Sequence, residues 1–75
     1  MLLDVAVLNP KSIVFSGKAK SIIFPGEQGT FEVLPFHKRI ISRLSQGVIE
    51  IDDKKFNIKR GIVKVIQNKV TVIVE

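Results

Sequence analysis

The chain has no cysteine, no tryptophan and no tyrosine, and one histidine among its 75 residues. Without cysteine there is no disulfide and no thiolate metal site. A single imidazole cannot build the usual zinc constellations either. A chain this short buries only roughly 60% of its unfolded surface, so its stability has to come from a well-packed apolar core or a partner surface. No stretch approaches the ~20 consecutive apolar residues of a membrane-spanning helix. The opening "MLLDVAVLNP" meets Asp4 early and lacks the basic start and cleavage pattern of a signal peptide.

The hydrophobic content of 45% favours a folded single domain over disorder. Lys and Arg number 12 against 7 Asp and Glu, a net charge of +5, which permits an anionic partner without requiring one. The cations fall in small groups: Lys18 and Lys20, Lys38 and Arg39, Lys54 and Lys55, Lys59 and Arg60. That spread is the pattern of a solvated surface.

Strand signals dominate. "LLDVAVL" is apolar and β-branched, and Asn9-Pro10 ends it because proline cannot donate to a ladder. "SIVF" follows, with Ser16-Gly17 read as a turn, then "AKSIIF" closed by a type II turn at Pro25-Gly26. "GVIEIDDKKFNIK" is a hairpin. A turn at Asp53-Lys54 sets Ile51 opposite Phe56 and Ile49 opposite Ile58 on one apolar face. "GIVKVIQNKVTVIVE" is a second hairpin turning at Asn68-Lys69, with Val63 opposite Val74 and Val65 opposite Val72. Its other face carries Ile66, Thr71 and Ile73, as in a pair covered on both sides. In "FHKRIISRLSQG", Phe36, Ile40, Ile41 and Leu44 recur at helical spacing, yet Ile40, Ser42 and Leu44 also share one side of a strand. Periodicity leaves both open. Many short strands between close turn signals make the fold class all-β: a small antiparallel β-sandwich or flattened barrel of about eight to ten short strands.

Chemistry is sparse. His37 has no nucleophile-elbow pattern around Ser42, Ser45, Asp52 or Asp53, so a hydrolytic triad has no sequence support. Glu27 and Glu32 are more simply solvated carboxylates than an acid–base pair. "GEQG" is not followed by Lys-Ser/Thr or a helix start, so it is no phosphate loop. A small basic β-barrel that binds single-stranded nucleic acid is the alternative class, using a basic groove and stacked aromatics. Of the five Phe, however, Phe15, Phe24, Phe31 and Phe56 sit in apolar contexts, and only Phe36 is free for another role.

The stretch "PGEQGTFEVLPFH" concentrates Pro, Gly and the one imidazole in what reads as a single loop. It carries a resemblance. The ordered motifs Val14-Phe15-Ser16-Gly17, Leu34-Pro35-Phe36-His37-Lys38-Arg39, Gly47-Val48-Ile49, Arg60-Gly61 and Asn68-x-Val70-Thr71-Val72 resemble the ε subunit of bacterial F-type ATP synthases, called δ in mitochondria. In that family the loop motif is Leu/Tyr-Pro-Gly-His-Ala-Pro. Phe36 here replaces its Gly, and Lys38-Arg39 its Ala-Pro.

The resemblance implies a sandwich of about ten strands, which favours strand for Ile40 to Leu44. It implies a non-catalytic subunit of the central stalk, linking the γ subunit to the membrane rotor ring of c subunits. Such a subunit couples ion translocation to ATP synthesis and needs no cofactor. Residues 1–75 would be that sandwich alone, without the family's C-terminal helical hairpin. The partners implied are γ and the ring, not nucleic acid. The isolated chain would be a monomer, peripheral on the cytoplasmic membrane face or its organellar equivalent and not inserted. Contact with ring or γ is expected from Glu27, Gln28, Thr30, Pro35, Phe36, His37, Lys38, Arg39 and Asn9. The alternative for His37 is a structural imidazole that ties the loop to its own sandwich.

In the family, hydrolysis inhibition and nucleotide sensing are attributed to the hairpin. Within residues 1–75 there is no Walker-type loop and no evident helix N-terminus to receive phosphate. Titrating Mg-ATP into the chain by calorimetry should give no saturable heat. A one-to-one isotherm at micromolar ATP that survives physiological salt would overturn this expectation.

Overall fold

The computed structural model describes residues 1–75, and the stretches of alternating apolar and polar side chains fold in it as nine strands. They are β1 (Leu3–Leu8), β2 (Ile13–Ala19), β3 (Ile22–Gly26), β4 (Gly29–Val33), β5 (Ile40–Leu44), β6 (Gly47–Ile51), β7 (Lys54–Ile58), β8 (Gly61–Ile66) and β9 (Lys69–Val74). No helix is long and apolar enough to cross a membrane. The stretch left open between helix and strand is β5, as the resemblance implied. It pairs with β8 from Ile40↔Val65 to Leu44↔Gly61. The count of nine falls within the expected range.

The hydrogen-bonded order is β2-β1-β9-β8-β5-β3-β6-β7, with β4 beside β3. All pairings are antiparallel except β1 with β9, which run parallel. The link between β5 and β3 is a single pair, Gly26↔Leu44, and the sheet turns its corner there. It curls until the end strands β2 and β7 meet. Phe15 and Phe56 stack edge to face with ring centroids 5.9 Å apart, and Lys54 Nζ lies 5.5 Å from the Phe15 centroid.

Period-2 alternation sends one face of each strand inward. Leu3, Val5 and Val7 of β1, Val70, Val72 and Val74 of β9, and Val63 and Val65 of β8 meet Ile22 and Phe24 of β3 and Ile49 and Ile51 of β6. The core holds sixteen buried apolar side chains and no buried polar one. Phe15, Phe31 and Phe56 pack against it and Phe24 lies within it, so four of the five Phe are core residues as expected.

Several local expectations are corrected. Ser16-Gly17 is not a turn. Both lie inside β2, paired with Ala6 and Val5, and the Phe15 ring covers the bare Gly17 backbone so closely that an added Cβ would touch its Cζ at 3.4 Å. Pro25-Gly26 is not a type II turn either. Both residues belong to β3, and the chain reverses at Glu27-Gln28, closed by the pair Gly26↔Gly29. Gly26 is required there, because a Cβ would come within 2.9 Å of the Phe31 ring. Gly29, at φ +125°, occupies a region closed to other residues. "PGEQGTFEVLPFH" is therefore not one loop: it holds the tip of a hairpin, all of β4 and then a loop.

Both hairpins turn one residue earlier than expected. The observed pairs are Ile49↔Phe56 and Ile51↔Lys54 around Asp52-Asp53, and Val63↔Val72 and Val65↔Val70 around Gln67-Asn68. Each partner moves by two residues, so the apolar faces are unchanged. Gln67 and Asn68 take φ of +49° and +65°, the pair of left-handed residues that a tight hairpin requires. Asp52 takes φ +52° and aims its carboxylate across the fold. Its Oδ1 accepts from the Lys20 and Ser21 amides at 3.0 and 3.1 Å, and Ser21 O accepts from the Asp52 amide at 3.1 Å. This clamp breaks "AKSIIF" at Lys20-Ser21 and separates β2 from β3. The outer face of β8–β9 is not covered within this chain, since Ile73 is 56% exposed.

Asp52→Ala should lower unfolding stability by about 1–2 kcal/mol, because two amides lose a charged acceptor. Asp52→Asn should recover most of it. Urea denaturation of the three proteins checks this; an Ala variant as stable as the parent would mean the clamp is inert.

Candidate functional site

The strand directions sort every connection to one of two poles. The N-terminal pole gathers Met1-Leu2, Lys20-Ser21, the loop 34–39, the Asp52-Asp53 turn and the Gln67-Asn68 turn. The C-terminal pole gathers the loop 9–12, the Glu27-Gln28 turn, Ser45-Gln46, Lys59-Arg60 and Glu75. The expected contact residues therefore do not form one site. Pro35, Phe36, His37, Lys38 and Arg39 lie at the N-terminal pole. Asn9, Glu27, Gln28 and, toward that end of β4, Thr30 lie at the other. A strand of about five residues separates the groups by roughly 17 Å.

At the N-terminal pole the loop is held from both sides. The Phe36 amide donates to Asn68 Oδ1 at 2.7 Å, and the His37 amide donates to Leu34 O at 3.1 Å. His37 is half-buried, and its Nδ1 lies 2.7 Å from the Lys38 carbonyl, which assigns the proton to Nδ1. The imidazole ties the loop to itself and leaves Nε2 without an internal partner. Phe36 adopts φ +68° with its ring 77% exposed. The glycine of the resembled motif thus has a physical reason: the position is left-handed. Here a Phe occupies it and projects from the pole beside Lys38 and Arg39, neither of which forms an ion pair.

At the C-terminal pole, Asn9 is committed to its own loop. Its Oδ1 accepts from the amides of Lys11 and Ser12 at 2.8 and 2.7 Å, and its amide donates to Ser12 O. Glu27 and Gln28 sit on the exposed hairpin tip. Between them and Asn9 lie Arg60 and Glu75. Arg60 Nε and a terminal nitrogen both donate to one Glu75 oxygen at 2.9 Å, and the backbones of Glu75 and of Lys59-Arg60 bond in both directions. Sequence reasoning missed this pin and the Asn68 clasp. Asn in the second hairpin's turn was the one available signal.

No cluster of His, Asp and Glu could hold a metal ion. The surface depressions are shallow, and none gathers His37 with carboxylates. A nucleic-acid stacking platform has only Phe36 to offer. The arrangement suits two-ended contact with other bodies.

Comparison with known proteins bears on which bodies. The family described as the beta-sandwich domain of the ATP synthase Delta/Epsilon chain matches residues 2–75. A protein named ATP synthase epsilon chain from a Nitratiruptor species is 44% identical over 78 residues, covering 97% of this chain and 60% of its own. One of the same name from Campylobacter curvus is 36% identical, with the same coverage of 97% and 60%. The chain thus spans about three fifths of the length of these curated relatives. A chain in the mitochondrial ATP synthase of Euglena gracilis, solved with OSCP, F1 and c-ring, superposes with a TM-score of 0.89 at 18% identity, over 97% of this chain and 50% of that one. A chain in the central stalk/c-ring structure of the Tetrahymena thermophila mitochondrial ATP synthase gives 0.82 at 17% identity, over 96% and 62%. These two establish likeness of fold.

Phe36→Gly should raise the stability of the isolated chain by up to about 1 kcal/mol, since a left-handed non-glycine residue costs ~1–2 kcal/mol and glycine's extra chain entropy takes back part of it. The ring, being exposed, has little packing to lose. Thermal denaturation reads the change; a loss of stability would mean the ring is packed.

Proposed function

Because the chain belongs to the ATP synthase delta/epsilon family through its beta-sandwich domain, we propose that it is a non-catalytic part of the central stalk. In this role residues 1–75 form a stiff sandwich that joins the γ subunit to the rotor ring of c subunits and passes torque between them. It sits peripherally at the membrane face from which the soluble sector projects. The role calls for two separated contact surfaces on a body that does not deform, and no chemical step.

The observation that carries this reading is the division of the expected contact residues between opposite poles. One pole offers Phe36, His37, Lys38 and Arg39; the other offers Glu27, Gln28 and Thr30. Between them runs a core without polar groups or disulfides, stiffened by forty-four backbone hydrogen bonds. His37 contributes through shape and Nε2 donor–acceptor capacity, not as a base. Lys38 and Arg39, free of internal ion pairs, complement acidic groups on the body opposite them.

Adding the γ subunit of the same source should raise the melting temperature of this chain through linkage. Lys38→Glu/Arg39→Glu should weaken assembly moderately, at ~0.2–1 kcal/mol for each exposed pair, and more at low salt. An unchanged melting temperature at saturating γ would remove the stalk reading. Indifference of the double variant to ionic strength would reduce the two cations to solubilising charges.

A further inference from the structure

Four non-glycine residues hold a positive φ: Phe36, Asp52, Gln67 and Asn68. All four stand at the N-terminal pole. Residues in such sparsely populated conformations persist only where their surroundings over-determine them, and they cluster at working sites. For Asp52, Gln67 and Asn68 the cause is local. Each sits in the reversal of a hairpin, where left-handed residues are needed, and Asp and Asn adopt that conformation more readily than other side chains. Phe36 has no such reason. It lies in a loop between strands, and a bulky aromatic is poorly suited to φ +68°.

The form of the loop follows from three constraints. The ring of Pro35 fixes its φ at about −65°. Phe36 stands at φ +68°. The His37 amide donates to Leu34 O at 3.1 Å. Together these make Leu34-Pro35-Phe36-His37 a type II β-turn with Pro35 and Phe36 as its central pair. Type I differs by a flip of the peptide between those two residues, and it would set Phe36 at a φ of about −90°, which any side chain accommodates. Glycine takes the type II form without steric cost. A phenylalanine left to itself takes type I. The flip also exchanges the places of the Phe36 N–H and the Pro35 carbonyl. In the observed form the Phe36 amide meets Asn68 Oδ1 at 2.7 Å. In the flipped form two acceptors, Asn68 Oδ1 and Pro35 O, would face each other.

We infer that Asn68 is the positioning residue of this pole: its side-chain carbonyl selects the type II form of the Pro35-Phe36 turn. That choice sets the direction in which the Phe36 ring, and after it His37, Lys38 and Arg39, are presented. Asn68 is suited to the task because its own place is fixed. Its φ of +65° belongs to the β8–β9 reversal, closed by the pair Ile66↔Lys69, and its backbone carbonyl accepts from the Asp4 amide at 2.8 Å. The side chain thus reaches a loop 32 residues away from a point tied to both β1 and β9. A loop with two available turn forms then enters contact already in one of them, and loses less freedom on binding. The inference rests on the stalk reading for the bodies that the loop meets, and adds which residue prepares it for them.

The test compares the parent chain with Asn68→Gly and Asn68→Asp. Glycine is favoured at this turn position, so the first variant keeps the hairpin and the carbonyl that holds Asp4, and loses only the side-chain oxygen. Aspartate keeps an acceptor in place. NMR on the isolated chain reads the turn, because type II sets the Pro35 Hα against the Phe36 amide proton and gives a strong cross-relaxation peak between them. The parent should show that peak and a Phe36 amide protected from solvent exchange. Asn68→Gly should lose the peak and exchange that amide about tenfold faster, with the Asp4 amide as protected as in the parent. Asn68→Asp should restore both signals. A strong peak retained in Asn68→Gly overturns the inference. Equal loss of protection at Asp4 also overturns it, by making Asn68 a general structural residue. Binding to the ATP synthase of the same source, stripped of this subunit, reads the consequence. Asn68→Gly should bind about fivefold more weakly, and Asn68→Asp within about twofold of the parent. Equal binding of the parent and Asn68→Gly overturns the role in contact while the stalk reading stands. A parent chain that does not bind overturns the stalk reading and the role in contact with it.

Discussion

The fold depends on the pairing of its first strand with its last. β1 and β9 run parallel in the middle of the sheet, with Val5 beside Val70 and Val7 beside Val72. No local signal brings them together: some sixty residues of intervening chain have to fold back before the contact forms, and that loop-closure cost is met only when the whole core assembles. Once formed, the pair fixes much else. It places β2 on one side and the β8–β9 hairpin on the other, and Asn68 O accepts from the Asp4 amide at 2.8 Å to lock the junction. The inward faces then supply most of the valines of a core that contains no polar group. A chain without disulfide or metal has few other ways to remain ordered at this length.

The same pairing has a consequence for the surface. With β1 and β9 central, their outward residues Leu8 and Ile73 fall at the middle of the exposed face, and Ile13 and Ile62 flank them. The sheet cannot cover that face with its own strands, because β3, β4, β6 and β7 are engaged on the inner side. An apolar band left open by topology is what distinguishes this side of the sandwich from an ordinary solvated sheet.

Much of the inside–outside pattern was legible from alternation alone. Ile49, Ile51, Ile58, Val63, Val65, Val70, Val72 and Val74 all face inward as their spacing requires. The turns of the two later hairpins were legible to within one residue, and those expected at Ser16-Gly17 and Pro25-Gly26 not at all, because turn positions are decided by partners elsewhere. Asp52 occupies its turn because its carboxylate is needed by Lys20 and Ser21, more than thirty residues away. Ser16-Gly17 has the composition of a turn and lies in a strand because the Phe15 ring covers it. The Pro25–His37 stretch stood out by composition, but its division between poles did not. The chain reverses at Glu27-Gln28 and then runs the length of β4, so neighbours in the motif end at opposite poles. Only the topology shows that. The exposed isoleucines were visible in the second hairpin, where a pair covered on both sides was the natural reading; within this chain nothing covers the outer side.

In the stalk role proposed for it, the sandwich would act as a passive mechanical part, rigid by its core and two-ended by its poles. A photo-activatable residue placed at position 36 in the assembled complex, in membranes of the source organism, addresses this most directly. The stalk reading predicts a covalent adduct with the γ subunit or a c subunit from position 36 and none from position 55 on the outer face of β7. Equal labelling of these subunits from both positions, or no adduct with any subunit of the complex, would contradict it.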